Sequence, residues 1–201
     1  MSPRPEVLSA MPCNVLRCLC LLALPWLVGA AQAAPVRYAI NPAHTVTTYE
    51  LGSIQSGRFE RHSGSIVLDL AEKTGHADVS IDTASIHSGV ALFDQILLST
   101  ELFDAAHYPT LLFVGDRFAF NGETLTEVGG NLTLLGITQP VLLAVKNFEC
   151  HTPADAVSGP EVCAGSFETT IDRTLFGMDL GVSLGLPKSV HLLIQVEALQ
   201  Q

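Results

Sequence analysis

The sequence has few positive charges, and this excludes one large class of partners. It contains 10 Lys and Arg against 20 Asp and Glu in 201 residues, a formal net charge of −10. Without residues 1–33 the chain keeps 8 basic and 19 acidic side chains, a formal net charge of −11. Because a chain this acidic repels a phosphate backbone, we expect no nucleic-acid partner.

The sequence also lacks the short motifs that mark common enzymes and metal sites. It has no Gly-x-Ser-x-Gly elbow and no glycine-rich phosphate loop. None of its seven histidines lie four residues apart or in a His-x-His pair, the spacings that favour shared metal ligation. We therefore expect a protein that is not an enzyme and that binds no cofactor and no metal.

Cysteine is scarce after the first 33 residues. Of the five cysteines only Cys150 and Cys163 follow that point, and they bracket a loop containing Pro and Gly. In an oxidising compartment such a pair predicts a disulfide. A bond closing so short a loop stabilises a domain by about 3 kcal/mol. A metal site with His151 is the alternative, but four convergent ligands are not evident.

Residues 1–33 have the pattern of an export signal. Arg4 and Arg17 are the only basic residues before the end of an apolar run, and Ala31-Gln32-Ala33 is a small-x-small cleavage pattern. The run is shorter than the roughly 20 residues of a membrane span, which makes an anchor the weaker alternative. We predict cleavage near Ala33, with either Met1 or Met11 as the start.

The remaining chain, residues 34–201, is long enough for one domain and reads as antiparallel β-structure. Apolar residues alternate with polar ones in most segments, as in Ile66, Leu68 and Leu70. One stretch, residues 92–98, has helical spacing instead. About eight strands joined by short turns leave a closed barrel or a sandwich, and a closed eight-stranded barrel can enclose one small ligand.

The segment from Gly129 to Phe148 predicts a long hairpin. Leu132 and Leu134 alternate with polar residues, and Gly136 suits a tight turn because it can adopt a positive φ. The following residues, 141–145, are apolar on both faces. We therefore expect that strand to be covered on two sides.

Six sequence blocks in this order resemble the YceI-like family of secreted bacterial lipid-binding proteins. Together they extend over essentially all of the chain after the export signal, and the block at residues 130–141 is the most specific. The blocks are Tyr38-Ala39-Ile40-Asn41-Pro42-Ala43-His44-Thr45, Gly57-Arg58-Phe59, Ile81-Asp82-Thr83-Ala84-Ser85-Ile86, Ser99-Thr100-Glu101-Leu102-Phe103-Asp104 with Tyr108-Pro109 and Phe113, Gly130-Asn131-Leu132-Thr133-Leu134-Leu135-Gly136-Ile137-Thr138-Gln139-Pro140-Val141, and Asp172-Arg173-Thr174-Leu175-Phe176-Gly177-Met178.

The resemblance implies an all-β fold: an eight-stranded antiparallel lipocalin-like barrel with one short helix insertion, formed by residues 34–201 in the periplasm. Its expected ligand is a long-chain amphiphilic lipid, namely a polyisoprenoid, an isoprenoid quinone or a fatty acyl chain. An inner-membrane protein, such as a cytochrome b561-type partner, and a homodimer are further expectations from the family. The Cys150 and Cys163 pair also resembles one branch of it.

Two departures from the family pattern remove polar groups near the expected pocket. Residues 49–52 lack the histidine that many members carry, and Ile96-Leu97-Leu98 replaces a polar run in the helix. Both changes strengthen the prediction of an apolar site for a lipid tail. A buried tail contributes about 0.8 kcal/mol per methylene, whereas one head-group hydrogen bond contributes roughly 1 kcal/mol. Affinity should therefore follow tail length.

The predicted ligand-binding residues are the apolar side chains expected to face the lumen, with two polar candidates for the lipid head. His44 and Arg173 are the two candidate contacts for the head group. The structural alternative for His44 is a hydrogen bond across the barrel end, and the alternative for Arg173 is an ion pair with Asp172. A barrel with a filled core, acting as a stress-related protein-interaction module, or an enzyme acting on a bound lipid, are the alternative functions. The lumen candidates are Tyr49, Phe59, Ile66, Leu68, Val79, Ile81, Phe93, Ile96, Leu97, Phe103, Phe113, Leu132, Leu134 and Phe176.

Overall fold

The computed structural model describes residues 34–153 and 159–201. The predicted signal peptide, its cleavage site and both candidate start residues lie outside the described residues. Within the described ranges, no helix combines the length and the apolar character needed to cross a membrane.

The described part of the chain forms eleven strand segments, one α-helix and three short 3-10 turns. The turns span Thr83–Ser85, Arg173–Phe176 and Val182–Leu184. The helix and strands are β1 Val36–Ile40, β2 Val46–Leu51, β3 Gln55–Phe59, β4 His62–Asp69, β5 Thr74–Asp82, β6 Ile86–His87, α1 Ala91–Leu98, β7 Thr110–Asn121, β8 Thr124–Leu134, β9 Ile137–His151, β10 Val162–Asp172 and β11 Ser189–Gln200.

The strand segments build a closed antiparallel barrel of eight strands. Hydrogen-bonded neighbours follow the order β1, β4, β5, β7, β8, β9, β10, β11, and β11 pairs back onto β1. The first three strands of the barrel are each interrupted, so that β2 continues β1, β3 leads into β4, and β6 continues β5. The predicted eight-stranded antiparallel barrel with one helix is therefore confirmed.

The two ends of the barrel are built differently. At one end, called the mouth below, lie the β2–β3 turn, helix α1 and the passage of residues 173–188. At the other, called the closed end, lie the β4–β5 and β7–β8 turns and the paired ends of β9 and β10.

The closed end is held by one covalent bond and two polar contacts. Cys150 and Cys163 face each other across β9 and β10 and form the predicted disulfide. The hydroxyl of Tyr38, a side chain that is 2% exposed, donates to the Glu161 carboxylate. Burial raises the pKa of Tyr38, and the bond to Glu161 raises it further. Surface groups of the two turns add an ion pair, Lys73 with Glu123, at 3.2 Å.

At the mouth the wall is completed by a helix and not by strand pairing. The short strand β6 pairs only with β3, and β7 begins opposite the end of β5, at Thr110. Segment 88–109, which contains α1, occupies the remaining position, with Leu97 packed into the core. Thr83 fixes the end of this segment, because its amide donates to the Pro109 carbonyl at 2.9 Å and its hydroxyl to the Tyr108 carbonyl at 2.7 Å.

One expectation about the long hairpin is wrong and another is confirmed. Val141 and Leu143 face the interior, but Leu142 between them is 53% exposed, so this part of β9 is not covered on two sides. A barrel strand has one inner and one outer face, and here the outer face carries aliphatic side chains in solvent. The predicted tight turn is present, with Leu135 at φ 51° and Gly136 at φ 72°.

Candidate functional site

The barrel encloses an apolar cavity that opens at the mouth. Its outer part, called the mouth chamber, has a volume of about 160 Å³. It lies between the barrel wall, helix α1 and the passage of residues 173–188. The apolar side chains that line it are Tyr49, Leu51, Phe59, Ile81, Phe93, Ile96, Leu97, Leu102, Phe103, Leu111, Leu132, Leu134, Ile171, Met178, Leu180, Leu186, Val190 and Leu192.

A second chamber of about 110 Å³, called the deep chamber, lies next to the mouth chamber on the side of the closed end. A further space of about 20 Å³ lies beyond it, under Tyr38. The two chambers share four wall residues, which we call the waist. The waist residues are Thr47, Ile81, Leu132 and Leu192.

The cavity is apolar because each strand alternates between an inner and an outer face. On β11 Val190, Leu192, Ile194 and Val196 line the chambers in sequence. These four positions extend over roughly 20 Å of strand. Glu197, one residue further along, points to the other face and bonds His44 on the surface. A single hydrocarbon chain placed along β11 would thus contact apolar side chains from the mouth to the deep chamber.

A polar pair lies at the waist. The Thr47 hydroxyl and the His62 Nε2 are 2.9 Å apart, and both side chains are at least 95% buried. Burial lowers the pKa of His62, which favours the neutral ring. Its Nδ1 makes no hydrogen bond of normal geometry among the described residues, although the nearby Glu60 backbone offsets part of the lowering of the pKa. The chambers therefore contain one uncharged polar contact in a wall that is otherwise largely aliphatic and aromatic.

Arg173 shapes the mouth. It is 5% exposed and lines the mouth chamber, and its guanidinium donates to three backbone carbonyls. The acceptors are Pro187 at 2.9 Å, Met178 at 2.6 Å and Leu180 at 2.9 Å. Asp172 instead accepts bonds from the amide and hydroxyl of Thr174, which lower the pKa of its carboxyl. Arg173 thus fixes the fold of the passage between β10 and β11.

His44 lies away from both chambers. Its Nδ1 is 2.7 Å from the Glu197 carboxylate, and its side chain is 64% exposed. The hydrogen bond from His44 lowers the pKa of Glu197, with a smaller contribution from Asn41. In this position His44 contacts the outer surface of the wall and does not line the cavity.

Aromatic rings form one side of the mouth chamber. The ring centroids of Phe59 and Tyr49 are 6.3 Å apart. Phe59 also packs edge to face on Phe103, with the two ring centroids 5.5 Å apart. Burial raises the pKa of Tyr49, so its hydroxyl stays protonated. That hydroxyl is buried and makes no hydrogen bond of normal geometry with the described residues, although the Gln55 side chain lies close enough to lower its pKa in part. It is one polar group at the mouth that a ligand could reach.

The structure brings nearly all of the lumen residues predicted from sequence to the cavity. Thirteen of the fourteen line the mouth chamber or the deep chamber; Phe176 does not and is 1% exposed in the core beside them. Sequence reasoning missed the whole inner face of β11 and several large side chains. The residues missed include Leu111, Phe118, Leu125, Val128, Val141, Leu143, Phe148, Phe167, Ile171, Leu192, Ile194 and Val196.

The sequence matches the model of a known protein family. The family model for the YceI-like domain matches residues 38–198, which is most of the chain and nearly all of the barrel. The chain belongs to the YceI-like family.

In the described ranges no group of three or more His, Cys, Asp or Glu side chains is placed to hold a metal ion.

Curated relatives of this YceI-like chain carry the description UPF0312 protein. Those of Shewanella denitrificans and Enterobacter sp. (strain 638) are 30% and 29% identical, over 90% and 91% of this chain and 93% and 95% of their own. The match to the Azotobacter vinelandii protein is 28% identical over 60% of this chain, and spans 66% of that protein's length.

Solved structures share the YceI-like fold. BcnA of Burkholderia cenocepacia superposes with a TM-score of 0.63 at 21% identity, over 79% of this chain and 98% of its own. The YceI protein of Campylobacter jejuni gives 0.62 at 22% identity, over 76% and 88%. A polyisoprenoid-binding domain from Saccharophagus degradans gives 0.56 at 14% identity, over 83% and 99%.

Proposed function

We propose that this YceI-like protein is a periplasmic carrier of a long-chain amphiphilic lipid. The observation that carries the proposal is a pair of apolar chambers inside the barrel that share the waist residues as a common wall. A hydrocarbon tail enters at the mouth and extends past Leu192 towards Val196. The fold shared with a polyisoprenoid-binding domain supports a lipid as the ligand. A polyisoprenoid, an isoprenoid quinone and a fatty acyl chain all have such a tail.

Tail length should decide affinity more than the head group does. Each methylene buried in the chambers contributes about 0.8 kcal/mol, so several carbons outweigh one hydrogen bond of roughly 1 kcal/mol. The polar groups available at the mouth are few, and Arg173 already donates to three carbonyls. The Tyr49 hydroxyl and the Gln55 amide are further polar groups at this level that can reach a head group.

Two polar side chains of the cavity are engaged in hydrogen bonds within the protein, which favours a binding function without catalysis. His62 is engaged with Thr47, and the Arg173 guanidinium with the backbone. The alternative of a barrel with a filled core does not fit two chambers of about 160 and 110 Å³. The proposal therefore includes no cofactor and no turnover of the lipid.

The identity of the ligand and the location can be tested together. The protein is purified from the periplasm of its own bacterium, its N-terminus is sequenced, and bound lipid is measured by native mass spectrometry. We expect an N-terminus at or near Ala34 and a co-purified lipid with a long hydrocarbon tail. Repeated purification without lipid, combined with failure to load prenyl or acyl chains, would contradict the carrier function.

The path of the tail is tested at the waist. Leu192→Trp places a larger ring where the two chambers meet, which should block the deep chamber. Binding of long acyl chains should then weaken strongly, while short chains that fit the mouth chamber keep their affinity. Leu142→Trp, on the exposed outer face of β9, is the matched control. Equal affinities of the two variants for long chains would show that the tail does not pass the waist.

Two further partners belong to the proposal. An inner-membrane protein of cytochrome b561 type would supply or receive a quinone-like ligand, and a homodimer would be the working assembly. Crosslinking in intact cells followed by mass spectrometry tests the first, and light scattering of the purified protein tests the second. A monomer at all concentrations would contradict the homodimer alone.

A further inference from the structure

Exposed aliphatic side chains gather at the mouth. Four of them are largely in solvent on three separate segments: Ile54 is 58% exposed in the β2–β3 turn, Val90 57% and Leu92 70% at the start of α1, and Leu184 87% in a 3-10 turn. Exposed aliphatic side chains that are grouped at one end of a domain mark a candidate interaction surface, whereas scattered single ones need no partner.

This exposed surface continues into the cavity. Ile96 of α1 and Leu180 of the β10–β11 passage are each 41% exposed and also line the mouth chamber. Ile96 and Leu180 therefore present apolar surface both to the solvent and to the mouth chamber. We call the six side chains the apolar rim: Ile54, Val90, Leu92, Ile96, Leu180 and Leu184.

Two acidic groups near the apolar rim, Asp94 and Asp104, are engaged in side-chain contacts, and Asp179 next to Leu180 adds a further negative charge. Asp94 accepts bonds from Ser88, which lower the pKa of its carboxyl, and lies 3.0 Å from His87. Asp104 lies 2.8 Å from His107. The whole chain has a formal net charge of −10. In the described passage of residues 173–188 the basic side chains are Arg173, which is buried, and Lys188, which lies near the Asp172 carboxylate, so they form no basic patch that would attract anionic lipid.

We propose that the apolar rim docks on the surface of a zwitterionic phospholipid bilayer, with the mouth facing the acyl layer. The proposal rests on the carrier function, because a ligand with a long tail is exchanged with least exposure to water if the chamber opens directly onto a bilayer. A second copy on the rim would bring together two chains of −10 each and would seal both mouths. The absence of a basic patch favours zwitterionic over anionic lipid.

Flotation with lipid vesicles tests the apolar rim. The purified protein is mixed with vesicles of phosphatidylcholine alone, or of phosphatidylcholine with phosphatidylglycerol, and the bound fraction is measured. We expect binding to the first and weaker binding to the second, most clearly at low salt. The variant Leu92→Ser with Leu184→Ser should bind phosphatidylcholine at least about tenfold more weakly, because two aliphatic side chains no longer leave water.

The matched control removes two exposed leucines from the outer wall of the barrel, Leu112→Ser with Leu142→Ser. It should float as the unchanged protein does. No binding of the unchanged protein to phosphatidylcholine, an equal loss in the control, or stronger binding with phosphatidylglycerol would overturn the proposal. A dimer that only the rim variant dissociates would assign the rim to a second copy. Binding that requires native membrane proteins would assign it to a protein partner.

A separate measurement keeps this proposal distinct from the carrier function. Lipid loading is measured by native mass spectrometry without vesicles, for the unchanged protein and for the rim variant. Intact loading with no vesicle binding overturns the apolar rim alone. Vesicle binding without any loading overturns the carrier function and leaves the rim as a membrane contact.

Discussion

The two ends of the barrel achieve stability by different means. The closed end joins neighbouring strands covalently through Cys150 and Cys163, and every strand there has hydrogen-bonded neighbours. The mouth lacks such a bond among its described residues; helix α1, short 3-10 turns and the bonds of Arg173 complete it. Strand pairing and a disulfide fix one end, and side-chain packing fixes the other.

This difference explains where a ligand can enter. Opening the closed end would break ladder hydrogen bonds and leave backbone groups without partners, each at a cost of about 1–3 kcal/mol. Opening the mouth requires the displacement of side chains of α1 and of the β10–β11 passage. Neither of these two segments is part of a strand ladder. The end with exposed aliphatic residues is therefore also the end that opens at lower cost.

The largest expected effect tests whether packing at the mouth is essential to the fold. Phe176→Ala removes a ring that is 1% exposed in the mouth core, and should lower the free energy of unfolding by about 3–5 kcal/mol. Urea unfolding measures it. Leu175→Ala, at a neighbour that is 56% exposed, should change stability by less than about 0.5 kcal/mol. A small effect of Phe176→Ala would show that the mouth does not contribute to the global fold.

The disulfide tests the closed end in the same way. Replacing both Cys150 and Cys163 by Ala should lower the free energy of unfolding by about 3 kcal/mol, because the unfolded chain is no longer crosslinked. The preference for tail length should not change, since neither cysteine lines the two chambers. Unfolding with and without reductant measures the effect, and the reductant should leave the variant unaffected. A changed length preference would mean that the two ends are not independent.

Acidification tests the polar pair between the two ends. Burial lowers the pKa of His62, so below about 6.5 the unfolded chain binds a proton that the folded barrel resists. Stability from this group is present above that pH and is lost as the pH falls towards the lowered folded pKa. The loss is at most about 1.4 kcal/mol per pH unit. His62→Gln should have a flatter dependence, and identical slopes would contradict the assignment.

The smallest expected effect is a difference in stability between two glycine substitutions, one in a turn at each end of the barrel. Gly122 at the closed end and Gly136 at the mouth have φ of 61° and 72°, so Ala at either position costs about 1–2 kcal/mol of backbone strain. A Cβ at Gly122 meets open space, but one at Gly136 lies 3.1 Å from the Tyr108 ring. Gly136→Ala should therefore destabilise more than Gly122→Ala in thermal unfolding. The reverse order would mean that Tyr108 moves aside freely.

Alternation and turn residues predicted the antiparallel strands because they are local signals, whereas the choice of a closed barrel over a sandwich came from the family resemblance. Gly136 marked its turn, and the spacing of residues 92–98 marked α1, which the structure places at Ala91–Leu98. The error on Leu142 has a physical cause. An aliphatic residue on the outer wall looks the same in sequence as one that is covered by a second layer, and only the closure of the sheet decides between them.

The cavity was predictable in part. Ile66 and Leu68 were predicted on one face of β4, and His62 lies on that same face because its position differs by an even number of residues. The same periodicity would have identified the inner face of β11. The bonds of Arg173 to three carbonyls could not be predicted, because they depend on how residues 178–187 fold back over the barrel.

The helix that replaces strand pairing between β6 and β7 has a consequence for variation. In a fully paired barrel the circumference is set by strand number and register, so the opening changes only by whole residues. Here one arc of the opening is set by the sizes of Phe93, Ile96 and Leu97. Single substitutions on α1 can therefore adjust the width of the entrance in small steps while every strand register stays as it is.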